Sequence, residues 1–305
     1  MLKFFLSHAG DHDHHALRGI VCHAVALFLF ACLDAVAKYL STLYPVPLIV
    51  WVRYAAQFVL MTVILAPMFG RDLLRTNRTG LVVLRSSCLV VLSWLAISAF
   101  SRLRLAEATS IQFIAPLLVA LLAKPVLKER IGPLKAAAVV IGFAGMLLIV
   151  RPGGQLDPVG VVFALLSAIF YATYQLLSRI LGGSERPAAM LYYSALLGTV
   201  CFGLLLPWFW DGPRPSALYY VLFVSMGLLG GLGHFFFTEA FRYAPASLLA
   251  PLTYLQLVWA GLLGWLVFGQ LPDRITIAGM AVIAVSGIAV TLYGRRSAAK
   301  VVATR

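Results

Sequence analysis

Residues 28–42 read FLFACLDAVAKYLST. An apolar run of the kind found inside a membrane helix carries an acid, Asp34, and four residues later a base, Lys38. On a soluble helix this would be an ordinary i, i+4 pair on the water-facing side. Inside a bilayer it is costly. An ionised side chain near the membrane centre is unfavourable by about 3 kcal/mol or more, so it is paired or faces water. Which environment surrounds this stretch decides the fold.

Composition settles that question. Of the 305 residues, 62% are hydrophobic and 11% charged, and the mean hydropathy is +0.94. A soluble domain carries about 25% charged residues. This chain has too few to cover a water-facing surface, which makes it an integral membrane protein. The formal charge of +13 would suggest a nucleic-acid partner for a soluble protein. Here the bases lie between apolar runs, so they report topology instead, and no nucleic-acid partner is expected.

Outward from Asp34, the apolar run covers about 18–40. Comparable runs follow near 46–68, 80–101, 105–126, 131–151, 158–181, 187–208, 216–241, 245–268 and 273–294. About 20 apolar residues cross roughly 30 Å of hydrocarbon as a helix. Backbone groups in lipid must be satisfied internally, and the alternation of barrel strands is absent, so the runs predict about ten transmembrane helices. The links are too short for a soluble domain. The N-terminal MLKFFLSHAGDHDHHALRG is polar after six residues and has no long apolar segment before a cleavage site. The first span is therefore expected to direct insertion itself.

The four cysteines, Cys22, Cys32, Cys88 and Cys201, all fall inside apolar runs without zinc-type spacing, so free thiols are expected. In the tail, His12-Asp13-His14-His15, with His8 and Asp11, has the residue types to hold a divalent cation. A solvated tail is the simpler reading, and no metal site or cofactor is predicted.

With the N-terminus in the cytoplasm, sixteen lysines and arginines fall inside and five outside, the five being Arg102, Arg104, Arg151, Arg214 and Arg274. Both termini are thus expected on the cytoplasmic side of a bacterial inner membrane. The chain also repeats weakly. SWLAISAF (93–100) lies over HFFFTEAF (234–241) at an offset that also pairs Phe113 with Tyr254 and Glu129 with Gln270. One residue of slip pairs Gly145 with Gly287. The offset divides ten helices into five and five, and an odd number per half inverts the second copy in the membrane. The expected organisation is a flexible tail at 1–17, one five-helix repeat at 18–151, an inverted repeat at 158–294 and a basic tail at 295–305. Inverted halves around a central cavity are a transporter device, because they can exchange access between the two sides.

The segments AEATSIQFIAPLLVALLAKPVLKERIGPLKAAAVVIGFAGMLLIV (106–150) and GLGHFFFTEAFRYAPASLLAPLTYLQLVWAGLLGWLVFGQLPD (232–273) resemble the EamA family of the drug/metabolite transporter superfamily. The resemblance covers the chain beyond its N-terminal tail. It implies a helical bundle, monomeric or homodimeric, whose central cavity carries small organic solutes. Two positions depart from the family pattern and bear on local packing. Gln270 stands where an acid usually ends the ninth helix, and Leu257 stands where a proline usually follows Tyr-Leu-Gln. The pattern Asp34-x-x-x-Lys38-Tyr39-Leu40, followed by Arg53-Tyr54, resembles a branch that includes S-adenosylmethionine and riboflavin uptake carriers.

By the rise of a helix, Asp34 and Arg53 each lie about 10 Å below the outer surface and Lys38 about 5 Å below it. Two readings stay open for this trio. One is a clamp between the first two helices, with Lys38 snorkelling outward. The other is a lining for the outer half of the cavity, where the fork of Arg53 suits a carboxylate or phosphate. Further candidates for the solute site are Trp94, Gln112, Tyr254, Gln256 and Trp259, since such cavities are mostly apolar with a few placed polar groups. Asp34, His234 and Glu239 are candidates for proton coupling, although Glu239 also has Arg242 beside it for a surface pair. Pro116 is expected to kink the fourth helix. The glycines of the eighth, Gly227 and Gly231 above all, are expected to let helices approach closely. Arg85 and Glu107 read as anchors near helix ends. No P-loop and no nucleophile–base motif occurs, so neither ATP drive nor an enzyme is predicted. The expected function is secondary transport of a small organic metabolite, such as an amino acid, S-adenosylmethionine or riboflavin. A divalent-metal carrier and a drug exporter are the alternatives.

Overall fold

The computed structural model describes the backbone of residues 2–127, 133–151, 156–182, 184–210, 216–244, 248–249 and 252–303. Within these, side chains are described from residue 17 to residue 289, apart from 65–66, 71, 120, 123–127 and 134–135. The histidine-rich tail segment and the basic C-terminal tail lie outside the residues whose side chains are described.

The described residues form helices and no strands. They are α1 (Leu2–Leu40), α2 (Val46–Phe69), α3 (Thr79–Phe100), α4 (Leu105–Gln112), α5 (Ala115–Leu127), α6 (Pro133–Val150), α7 (Pro158–Leu181), α8 (Pro187–Phe209), α9 (Ala217–Tyr243), α10 (Leu255–Phe268) and α11 (Arg274–Ala303). Six stretches are long and apolar enough to cross a membrane: Leu17–Leu40, Val46–Ile64, Thr79–Phe100, Pro158–Leu181, Pro187–Phe209 and Ala217–Tyr243. Leu105–Val119, Ala136–Val150, Leu255–Phe268 and Arg274–Ala289 are shorter apolar helical stretches.

The predicted fourth span is divided. α4 stops at Gln112, residues 113–114 form a turn, and α5 resumes at Ala115. Pro116 explains the break, because it has no N–H to give the carbonyl of Gln112. The second half breaks at 253–254, just before α10, within one residue of the matching position. The two aromatic residues paired by the sequence repeat, Phe113 and Tyr254, meet here edge to face, with ring centroids 5.5 Å apart.

Helix packing carries the same symmetry. α1 packs on α9 as α3 packs on α7, and α2 on α9 as α3 on α8. α1 meets α10 as α4 and α5 meet α7. The contacts α2–α8, α6–α11 and α4–α10 map onto themselves. Exchanging the halves therefore turns the main contacts between them into themselves.

Two glycines fix α2 within the bundle. A Cβ on Gly227 of α9 would collide with the Cβ of Ala56, and one on Gly198 of α8 would collide with the ring of Tyr54. This close approach is what the glycines of the eighth span predicted. Gly227→Leu is expected to push α2 from α9 and destabilise the protein by about 1–3 kcal/mol, as overpacking does. A thermal-unfolding midpoint within a degree of the parent would show that α2 has room to move.

Candidate functional site

Charged side chains gather at the two ends of the bundle and, sparsely, in its middle. At one end Arg102 pairs with Asp157 at 2.8 Å, Arg151 pairs with Asp273, and Arg104 lies 3.9 Å from Glu107 and donates to the carbonyl of Leu271. These groups line a cavity of about 510 Å³. At the other end Arg186 pairs with Asp72 at 2.9 Å. There the carboxylate of Glu185 also accepts from the backbone N–H groups of Asn77 and Arg78. Arg102, Arg104 and Arg151, all expected on one side of the membrane, thus share one end.

Three of these terminal carboxylates, Asp273, Asp157 and Asp72, are held below their usual range. A hydrogen bond from Arg151, then bonds from Thr276, stabilise ionised Asp273. The bond from Arg102 does the same for Asp157, and that from Arg186 for Asp72. A carboxylate whose folded pKa is depressed contributes stability above its unfolded value, about 3.9, and loses it as pH falls through the folded value. Melting curves from pH 7 to pH 2 should therefore show stability falling below about pH 4. Asp273→Asn should lower the midpoint at pH 7 and flatten that fall. An unchanged acid limb in the variant would remove Asp273 from this role.

In the interior, the opening trio separates into three environments. Lys38 is 7% exposed. Its Nζ donates to the carbonyls of Phe100 at 2.7 Å and Leu103 at 2.5 Å and lies over the ring of Phe268. It fastens α1 to the C-terminal end of α3, where a cation complements free carbonyls. The expected outward snorkelling is corrected: carbonyls that need donors hold the ammonium inside. Asp34 turns the other way, and its Oδ2 accepts from Nε2 of Gln256 on α10 at 3.3 Å. This bond joins the first half of the chain to the second. Arg53 lies close enough to Asp34 to act on its charge, yet no direct ion pair joins them among the described residues. Arg53 is half-buried, rests beside the ring of Tyr54, and makes no hydrogen bond within the described residues. The clamp between the first two helices is therefore not the arrangement found. The clamps run from α1 to α3 and from α1 to α10.

The other expected site residues are distributed as follows. Gln112 donates to Ser167 on α7 at 3.4 Å. Tyr254 is buried, and among the described residues its hydroxyl has no hydrogen-bond partner, nor has Nε1 of Trp259, whose ring meets Phe28. Trp94 is 37% exposed beside Phe163. His234 is half-buried against Phe30. Glu239 pairs with Arg242 at 2.9 Å at the end of α9, and that arginine is 71% exposed.

Four interior residues are not picked out as site candidates from the sequence: Arg85 reads there as an end anchor, and Tyr171, Tyr174 and His23 are not singled out. Arg85 is 4% exposed and uses four of its five N–H donors. It donates to Tyr174 and Ser178 at 2.8 Å, and to the Met190 carbonyl and Ser194. It joins α3 to α7 and α8 and is no snorkelling anchor. Its depth is the available signal, since six residues into the helix is about 9 Å, too far for an end anchor. Tyr171 and Tyr174 stack with a 22° tilt. Their i, i+3 spacing, continued by Ser178, already put them on one face. His23 is 0% exposed and contacts Thr253 at the second helix break. Among the described residues, no three His, Cys, Asp or Glu side chains gather as a metal site.

The fold and interior define a class: a multi-pass helical membrane protein built from two matching halves, with polar side chains turned inward between them. The EamA-like transporter family matches residues 17–151 and 158–293, and the chain belongs to that family. Two copies of the family unit thus fill the two halves. The chain is 28% identical over 285 residues to a riboflavin transporter of Vibrio cholerae, covering 92% of this chain and 95% of that one. It is 26% identical over 275 residues to an S-adenosylmethionine uptake transporter of Rickettsia prowazekii, covering 88% and 90%. It is 28% identical over 278 residues to a pseudopaline exporter of Pseudomonas aeruginosa, covering 90% and 95%. A solved crystal structure shares the fold with a TM-score of 0.66 at 21% identity, covering 91% of this chain and 98% of that one. The protein is a membrane transporter of small molecules.

Proposed function

We propose that the protein is a secondary transporter that moves a small organic metabolite across a bacterial inner membrane by alternating access. In this reading the six long spans and the shorter apolar helices make ten crossings, five in each of two inverted repeats, with both termini cytoplasmic. The observation that carries the reading is Arg53. A guanidinium inside the membrane with no acceptor among the described residues must face water or a solute. The Asp34–Gln256 bond supports it, because it spans the two halves beside that guanidinium. Helix breaks at matching positions of both halves are a further support, since discontinuous helices commonly frame transporter sites. Ion pairs and hydrogen bonds join the halves at both ends, as with Arg151–Asp273 and Arg186–Asp72. Exposed pairs of this kind are individually weak and can exchange as one end opens and the other closes. Asp34 is the proton-coupling candidate at the interior site, whereas Glu239 is engaged at a helix end.

The metal-carrier alternative is disfavoured by Arg53, which repels a cation at this site. Reconstituted protein should exchange at least one solute of a panel of amino acids, S-adenosylmethionine and riboflavin, and should not depend on ATP. Folded protein that moves none of them would overturn the reading.

A further inference from the structure

We propose that the interior site selects an organic solute bearing a carboxylate or phosphate, and that Tyr174, backed by Arg85, donates to that group beside Arg53. The inference rests on the transport reading and names its class of solute.

Arg85 is buried, and every acceptor it reaches is neutral: two serine hydroxyls, the Met190 carbonyl and the Tyr174 hydroxyl. Its guanidinium also lies over the Tyr174 ring, 4.4 Å from the centroid. The Tyr174 oxygen is thereby occupied as an acceptor, which leaves its own proton to donate. That proton has no acceptor among the described residues. A hydroxyl that accepts from a cation is polarised into a stronger donor. Tyr171 stacks beside it, and its hydroxyl is likewise without an acceptor among the described residues. Arg53 adds a guanidinium that is also unbonded there, with five N–H donors.

Against these donors stands one interior carboxylate, Asp34, which Gln256 already engages. The other described acids lie at helix ends, bonded to arginines or backbone groups: Asp72, Glu107, Asp157, Glu185, Glu239 and Asp273. Three interior cations, Arg53, Arg85 and Lys38, thus face one anion, and Lys38 is spent on the carbonyls of Phe100 and Leu103. A cationic solute would be repelled, and a neutral one would leave Arg53 unpaired inside the membrane. A carboxylate or phosphate matches the fork of Arg53 and takes the Tyr174 proton as well.

The test uses the full chain in proteoliposomes and two matched pairs of probes. These are riboflavin with riboflavin 5′-phosphate, and S-adenosylmethionine with its decarboxylated form. In counterflow, the member bearing the extra anionic group should be favoured by about tenfold or more in at least one pair. Tyr174→Phe keeps the ring stack and should reduce that preference by about tenfold. The inference alone is overturned if solutes are moved without that preference, or if Tyr174→Phe leaves it intact. Folded protein that moves no probe, and no amino acid, overturns the transport reading with it.

Discussion

Arg53→Ala is expected to stop transport and leave the fold standing. Arg53 makes no hydrogen bond and no direct ion pair among the described residues, and alanine is the strongest helix former. The unfolding midpoint should therefore stay within a few degrees of the parent. Solute binding should behave differently. Removing one partner of a desolvated charged contact costs about 3 kcal/mol or more, a loss of roughly 100-fold. Arg53→Lys keeps the charge but loses the planar fork, so it should fall between the two. Radiolabelled solute uptake, set beside melting curves of the same preparations, measures both quantities. A variant that unfolds easily yet binds normally would return Arg53 to a structural role.

Lys38→Met should do the reverse. It removes two charge-assisted bonds to the carbonyls of Phe100 and Leu103 but keeps an apolar side chain of similar length. Each such bond contributes about 1.5–3 kcal/mol, from which the desolvation cost of the buried ammonium, absent in methionine, is subtracted. A loss of about 2–4 kcal/mol is expected, measured by denaturant or thermal unfolding in detergent. Solute affinity of the surviving protein should be unchanged. Lower affinity at parental stability would place Lys38 on the solute path and contradict its assignment here.

These opposed outcomes show how far FLFACLDAVAKYLST could be understood from sequence. The membrane setting was legible, because 11% charged residues cannot clothe a soluble domain. The two-part organisation was legible too, through the faint match of SWLAISAF with HFFFTEAF. The partners of Asp34 and Lys38 were not. Helical periodicity puts residues i and i+4 on one face, but it cannot say that one side chain reaches back to α10 while the other reaches α3. Arg85 illustrates the same limit. An arginine near the end of an apolar run resembles an anchor until the hydroxyls from α7 and α8 are seen to surround it. Those acceptors lie about 90 to 110 residues away in the chain. The break in the fourth span was marked by Pro116. Its counterpart at 253–254 was not, since Leu257 stands where the repeat would place a proline.

The central claim is that a water-accessible path passes Arg53 and opens to each side in turn. It is tested most directly by replacing the four native cysteines, Cys22, Cys32, Cys88 and Cys201, and introducing Arg53→Cys. A membrane-impermeant thiol reagent is then applied from one side of oriented vesicles at a time. The account predicts modification from both sides. Modification from neither side would place residue 53 in lipid or in sealed packing and would contradict the account.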